Sequence, residues 1–181
     1  MDEERAWIEQ ALKGDQAAFG HLVRAYERPV YNLTYRLLHD AVEAEDAAQE
    51  TFLRAYDKLA TYQPERKFVN WLLSIASHYC IDCLRRRGRA PQLSLDGPLP
   101  PQWLASDTQR PDQAVSRKQQ QEQVRQLLDR LEPDYRAAVV LRYWYDLSYE
   151  EIAAAMGTTE SAIKSRLHRA RRMLAGCLQA A

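Results

Sequence analysis

The sequence predicts an all-helical fold: two small helical domains joined by a proline-rich tether. Three observations predict it. Glycine is sparse, six in 181 residues, and strand-type alternation is absent. Apolar residues recur at spacings of three and four over long stretches, as they do on helices that bury one face. Between those stretches, residues 90–116 hold Pro91, Pro98, Pro100, Pro101 and Pro111 without a sustained apolar period. That composition suits a semi-extended connector. The expected boundaries are residues 1–89 for the first domain, 90–116 for the tether and 117–181 for the second.

The elements follow in order. Phe19, Leu22, Val23, Tyr26, Val30, Leu33 and Leu37 line one helical face. Pro29 lies inside that run and is expected to kink or divide it, because proline lacks the N–H of the helical ladder. Ala44, Ala48, Phe52, Ala55 and Leu59 form the stripe of a second helix. Tyr62-Gln63-Pro64-Glu65 interrupts the pattern. Leu72, Ile75, Ala76, Tyr79, Cys80, Cys83 and Leu84 make a third stripe. Beyond the tether, Val124, Leu127, Leu128 and Leu131 restore the period, and Pro133 sits where a first-turn proline opens a helix carrying Val139, Val140 and Tyr143.

The segment from Asp146 to Leu174 is the most specific. Ser148-Tyr149-Glu150-Glu151 has the form of a capping box, in which serine and the third-position glutamate satisfy each other's backbone N–H groups. A short helix with Ile152, Ala153 and Met156 follows, and Gly157 supplies a left-handed stop. Thr158 or Thr159 then caps a helix whose apolar face is Ile163, Leu167, Ala170 and Leu174. A helix, a glycine turn and a helix, with a small residue at the crossing, is the helix-turn-helix pattern. The outer face of its second helix carries Lys164, Arg166, Arg169, Arg171 and Arg172, with no acid from Ser161 to Ala181. Cations at this position suit guanine edges and phosphates. A solvated basic helix end is the plainer reading, and the coincidence of charge with turn geometry favours DNA binding.

Charge is also segregated in the first domain. Asp40, Glu43, Glu45, Asp46, Glu50 and Asp57 oppose only Arg54 between residues 40 and 57. By itself such a stripe reads as a solvated helix face. From residue 66 to 89 the sign reverses: Arg66, Lys67, Arg85, Arg86, Arg87 and Arg89 oppose only Asp82. Tyr62, Phe68, Trp71 and Tyr79 are interleaved with them, and cations with aromatics are the chemistry of single-strand capture. Lys67, Asn70, Ser74 and His78 share a polar face and are the better candidates for nucleic-acid contact, since the rings lie on or near the apolar stripe.

Over the whole chain the charges cancel, 25 Lys and Arg against 25 Asp and Glu. This excludes an autonomous DNA-coating protein, which needs a large cationic excess. With 46% hydrophobic and 28% charged residues, the composition also excludes wholesale disorder and collagen. No apolar run approaches the roughly 20 residues of a spanning helix, so no membrane insertion is expected. Met1 to Arg5 lacks the pattern of an export signal, and three cysteines fit a reducing compartment, so a cytoplasmic location is expected. His78, Cys80 and Cys83 raise the alternative of a metal or redox sensor. Both cysteines fall on the apolar stripe of a helix, which favours simple burial. A conventional helix-turn-helix repressor is the other alternative. No catalytic constellation, metal site or cofactor motif is visible.

These motifs together resemble the extracytoplasmic-function sigma factors, small two-domain members of the sigma-70 family. Ala44-Glu45-Asp46-Ala47-Ala48-Gln49-Glu50-Thr51-Phe52-Leu53 is similar to the family's polymerase-docking segment in region 2. Residues 68–76 and 81–86 resemble its −10 recognition and melting segment. Residues 135–153 resemble region 4, and residues 164–171 its −35 recognition helix. The resemblance implies a non-enzymatic, cofactor-free initiation factor. Its partners would be core RNA polymerase (the β′ clamp helices and β flap), promoter DNA that is duplex at −35 and melted at −10, and an anti-sigma factor. It further implies core docking by Asp40, Glu43, Asp46, Gln49, Glu50 and Phe52. The −10 set would be Tyr62, Arg66, Lys67, Phe68, Asn70, Trp71, Ser74, His78, Arg85 and Arg86. The −35 set would be Thr159, Glu160, Lys164, Ser165, Arg166, His168, Arg169, Arg171 and Arg172.

Overall fold

Helix α2, Gln16–Leu38, is the spine of the first domain in a computed structural model of the chain, which describes residues 2–88 and 111–179. It begins where the Asp15 carboxylate accepts from the N–H groups of Ala17 and Ala18, satisfying donors that a helix start leaves free. It ends at His39, whose φ of 57° places it in the left-handed region while its N–H donates to the Tyr35 carbonyl. Pro29 does not divide it: the helix runs through the proline unbroken. Leu22, Val30, Leu33 and Leu37 are wholly buried along α2, each contributing on the order of 1.5–3 kcal/mol of apolar transfer.

Helices α1 (Asp2–Leu12), α3 (Ala41–Asp57) and α4 (Phe68–Arg87) pack around this spine. Ile8 and Ala11 seat α1 on it, and Tyr26 of α2 donates to the Glu4 carboxylate. Small residues let α3 approach closely: Ala44, Ala47 and Ala55 are fully buried. There the Thr34 hydroxyl donates 2.8 Å across to the Ala44 carbonyl. A single 3-10 turn, Leu59–Thr61, leads into the loop before α4.

The buried face of α4 is rotated from the stripe read in the sequence. Phe68, Leu72, Leu73, Ala76, Ser77, Cys80 and Ile81 are buried, whereas Ile75, Tyr79, Cys83 and Leu84 are only partly covered. Two expected contact residues lie in or against this core. Phe68 is 1% exposed, packed among Tyr26, Tyr62 and Trp71. A ring so enclosed serves the core and presents no face to a base. Phe52 is partly buried, packed against the same core.

The second domain comprises α5 (Pro111–Asp129), α6 (Pro133–Trp144), α7 (Tyr149–Ala155) and α8 (Glu160–Gln179). Helix α5 begins at Pro111, so residues 111–116, expected to be tether, are helical. The remainder of the expected tether, to residue 110, lies outside the described residues. Pro133 opens α6 as its sequence position predicted. Ala137, Val140, Leu141, Ile152, Ile163, Leu167 and Ala170 form the core of this half. The two halves are in contact: α6 packs on α2 and α4, and α7 packs on α4. Among the described residues, no helix is long and apolar enough to cross a membrane.

Candidate nucleic-acid interface

The helix-turn-helix is built as its sequence dictates. The Ser148 hydroxyl accepts from the Glu151 N–H at 3.1 Å, and the Glu151 carboxylate accepts from the Ser148 N–H at 2.8 Å. Gly157 turns the chain with φ of 59°, a backbone that a side chain would strain. Thr159, not Thr158, caps α8, its hydroxyl accepting from the Ala162 N–H. Ala153 is buried, and α7 packs on α8.

On α8 the predicted residues divide by what they touch. Lys164, Ser165, His168, Arg169, Arg171 and Arg172 are exposed. Lys164 is held by Glu160 at 2.6 Å and lies over the Tyr149 ring. Arg169 reaches the Tyr135 hydroxyl at 3.5 Å, and the phenol holds the guanidinium firmly in its charged form. Arg171 folds back onto the Leu167 carbonyl. Arg166 is different: it is half-buried, 3.6 Å from Asp134, with Nη1 enclosed. In this arrangement it faces the protein.

The α4 face gathers Lys67, Asn70, Trp71, Ser74 and His78, which are exposed or half-exposed. Trp71 packs at tilted angles against Tyr62 and Phe68 in one aromatic cluster, and the Tyr62 hydroxyl donates to the Arg66 carbonyl, closing the loop before α4. Ser74 donates to the Trp71 carbonyl, and His78 Nδ1 lies 2.8 Å from the Ser74 carbonyl. Arg85 pairs with Asp134 at 2.7 Å, and Arg86 donates to the Cys83 sulfur. Arg66 is exposed.

The α3 acids divide similarly. Asp40 is the N-cap, accepting from the Glu43 N–H. Glu43 pairs with Arg87 of α4, and Glu50 pairs with Arg54 at 2.7 Å. Asp46 and Gln49 stand free on the outer face. Beside them the structure adds two residues that sequence reasoning missed: Val42, 53% exposed, and Leu53, 64% exposed. Positions 42, 46, 49 and 53 repeat at four, three and four, the spacing of one helical stripe. The readable signal was that Val42 and Leu53 fall off the buried alanine stripe.

His78, Cys80 and Cys83, the residues of the sensor alternative, lie along α4. Cys80 is buried and its thiol is pushed well up by burial, which makes it a poor nucleophile. Among the described residues no three His, Cys, Asp or Glu side chains are grouped to hold a metal ion.

Residues 22–90 match the Sigma-70 region 2 family, and residues 121–174 match Sigma-70, region 4. The chain is 33% identical to the RNA polymerase sigma-H factor of Pseudomonas aeruginosa, over 99% of this chain and 95% of that one. It is 34% identical to the ECF RNA polymerase sigma factor SigW of Bacillus subtilis, over 92% of each. Its fold is similar to that of CnrH, solved in complex with the cytosolic domain of CnrY, with a TM-score of 0.70 and 25% identity over 99% of each chain. Both sigma regions in their expected order, and relatives matched along nearly their whole length, place this chain in the extracytoplasmic-function sigma factors of the sigma-70 family.

Proposed function

We propose that the chain binds core RNA polymerase and confers promoter choice on it. The observation that carries this reading is the intact helix-turn-helix of α7 and α8, whose outer face offers Lys164, Ser165, His168, Arg169 and Arg172. These would read the −35 element as duplex, with Thr159 at the helix N-terminus near a phosphate. The polar face of α4, from Lys67 through Asn70 and Ser74 to His78, would take the −10 strand once melted, with Arg66, Arg85 and Arg86 on its backbone. The stripe Val42, Asp46, Gln49 and Leu53 would dock on the clamp helices of the β′ subunit, and the second domain would rest on the β flap. The polymerase would perform the chemistry, and this chain would supply neither a catalytic group nor a cofactor. We place it in the cytoplasm, where its polymerase works. A protein anti-sigma factor is a further proposed partner, as the family resemblance implies; the similar CnrH was solved in complex with the cytosolic domain of CnrY.

A gel shift separates this reading from a conventional repressor. Promoter duplex at physiological salt should be shifted specifically only when core enzyme is present. Specific binding by the protein alone, unchanged by added core enzyme, would contradict the proposal.

A further inference from the structure

We propose that the cleft between α4 and α7 is a binding site for a free guanine nucleotide. Its volume is about 540 Å³, within the roughly 300–1,000 Å³ of pockets that take small molecules. Arg66, Lys67 and Trp71 line the α4 wall, and Glu150 and Glu151 line the α7 wall. Three features of that lining point to a nucleotide. First, the cations are uncommitted. Arg66 and Lys67 are exposed, and neither side chain makes an ion pair or a hydrogen bond among the described residues. Helix α4 also starts at this wall without a side-chain cap, so its first N–H groups add to the positive field. Cations so placed suit a phosphate group. Second, Trp71 packs at tilted angles on Tyr62 and Phe68 yet stays half-exposed where it lines the cleft. An indole held in that way offers a stacking surface to a base.

Third, the α7 wall presents a free carboxylate. Glu151 is spent: one oxygen accepts from Asn70 Nδ2 at 2.8 Å and the other from the Ser148 N–H at 2.8 Å. Glu150 beside it is exposed, with no hydrogen bond or ion pair among the described residues. A carboxylate only accepts, and it does so through two oxygens side by side. Guanine alone among the common bases places two N–H donors, at N1 and N2, next to each other on its Watson–Crick edge. Adenine and cytosine place a donor beside an acceptor nitrogen, whose lone pair would face the carboxylate. Uracil and thymine flank a single donor with two carbonyls. Phosphate on the cations, ring on Trp71 and base edge on Glu150 therefore select guanine. The site does not depend on the assignment of α4 to the −10 strand. Where that assignment also holds, nucleotide and strand share Lys67 and Trp71 and exclude one another.

The test uses the full chain without polymerase. Calorimetric titration with GDP, ADP and inorganic pyrophosphate reads affinity. The indole N–H resonance of Trp71, assigned with Trp71→Phe, reports whether that ring meets the ligand. The expected result is one-to-one binding of GDP that shifts the Trp71 resonance and is about tenfold tighter than ADP, with pyrophosphate weaker than both. Glu150→Gln, a nearly isosteric change at an exposed position, replaces two acceptors by one acceptor and one donor. That pair matches adenine, so the order of GDP and ADP should reverse. Arg66→Ala should weaken GDP and ADP by the same factor, and far-UV circular dichroism verifies that each variant keeps its helices. Absence of saturable GDP binding, equal affinity for GDP and ADP, or an order that Glu150→Gln leaves unchanged would overturn the inference. So would pyrophosphate binding as tightly as GDP, or GDP binding that leaves the Trp71 resonance in place. Lys67→Ala in reconstituted polymerase reads the α4 assignment separately: impaired initiation keeps that assignment even where GDP fails to bind, and normal initiation removes it while the titrations decide the nucleotide site.

Discussion

Phe68 and Arg169 show how differently two residues drawn from similar motifs behave. Phe68 sits among cations and aromatics in the sequence, yet it is enclosed by Tyr26, Tyr62 and Trp71. Phe68→Ala should lower unfolding stability by about 3–5 kcal/mol, measured by urea denaturation, with Phe68→Leu recovering much of it. A variant of unchanged stability but altered −10 preference would return Phe68 to the DNA-contacting set. Arg169 is exposed, with only the Tyr135 hydroxyl at 3.5 Å for company. Arg169→Ala should leave stability within about 0.5 kcal/mol. It should weaken −35-dependent initiation by about 1–3 kcal/mol, the worth of a bidentate base contact. Abortive-initiation rates on promoters with and without the −35 element check this, and an unchanged ratio would refute the role.

Among the elements, α3 and α7 carry the sharpest expectations. The stripe of Val42, Asp46, Gln49 and Leu53 lies away from the alanine face that packs on α2. Asp46→Lys with Leu53→Ser should therefore cut core-enzyme capture severalfold while the melting curve hardly moves. Capture by core enzyme at wild-type level would show that the docking surface lies elsewhere. In α7, Ser148 and Glu151 form a reciprocal cap. Ser148→Ala should cost about 1 kcal/mol of stability. The Glu151 carboxyl lies below its ordinary value near 4.5, chiefly because the Ser148 N–H donates to it. A depressed carboxyl stabilises the folded state fully above that ordinary value, and the contribution is lost as pH falls through the lower folded value. Urea denaturation of wild type and Glu151→Gln between pH 7 and about pH 3 should then converge at the acid end. A constant gap across the range would remove Glu151 from the cap's energetics. The cap, the Gly157 turn and the α8 stripe were legible in the sequence because each depends on neighbours within a few residues. The α4 stripe was read one step off: Phe68, Leu73, Ser77 and Ile81 continue the buried period, while Ile75, Tyr79, Cys83 and Leu84 lie at its edge.

At the scale of the whole molecule, the zero net charge resolves into opposed surfaces. The acidic outer side of α3 stands opposite in sign to the cationic ends of α4 and α8. The two-domain helical plan was legible from composition and period. How the halves meet was not. Asn70 and Glu151 are 81 residues apart and Arg136 and Leu37 are 99 apart, so no local pattern announces their contacts. Pairings at that distance arise only once both domains have folded and approached. On this reading the chain turns core polymerase into a promoter-specific enzyme. Run-off transcription from a randomised promoter library, with core enzyme alone and with the added chain, tests it most directly. The account predicts that transcripts appear only with the chain and that their templates share two conserved elements at a fixed spacing. Transcription no greater than core enzyme alone gives, or templates without a shared pair of elements, would contradict it.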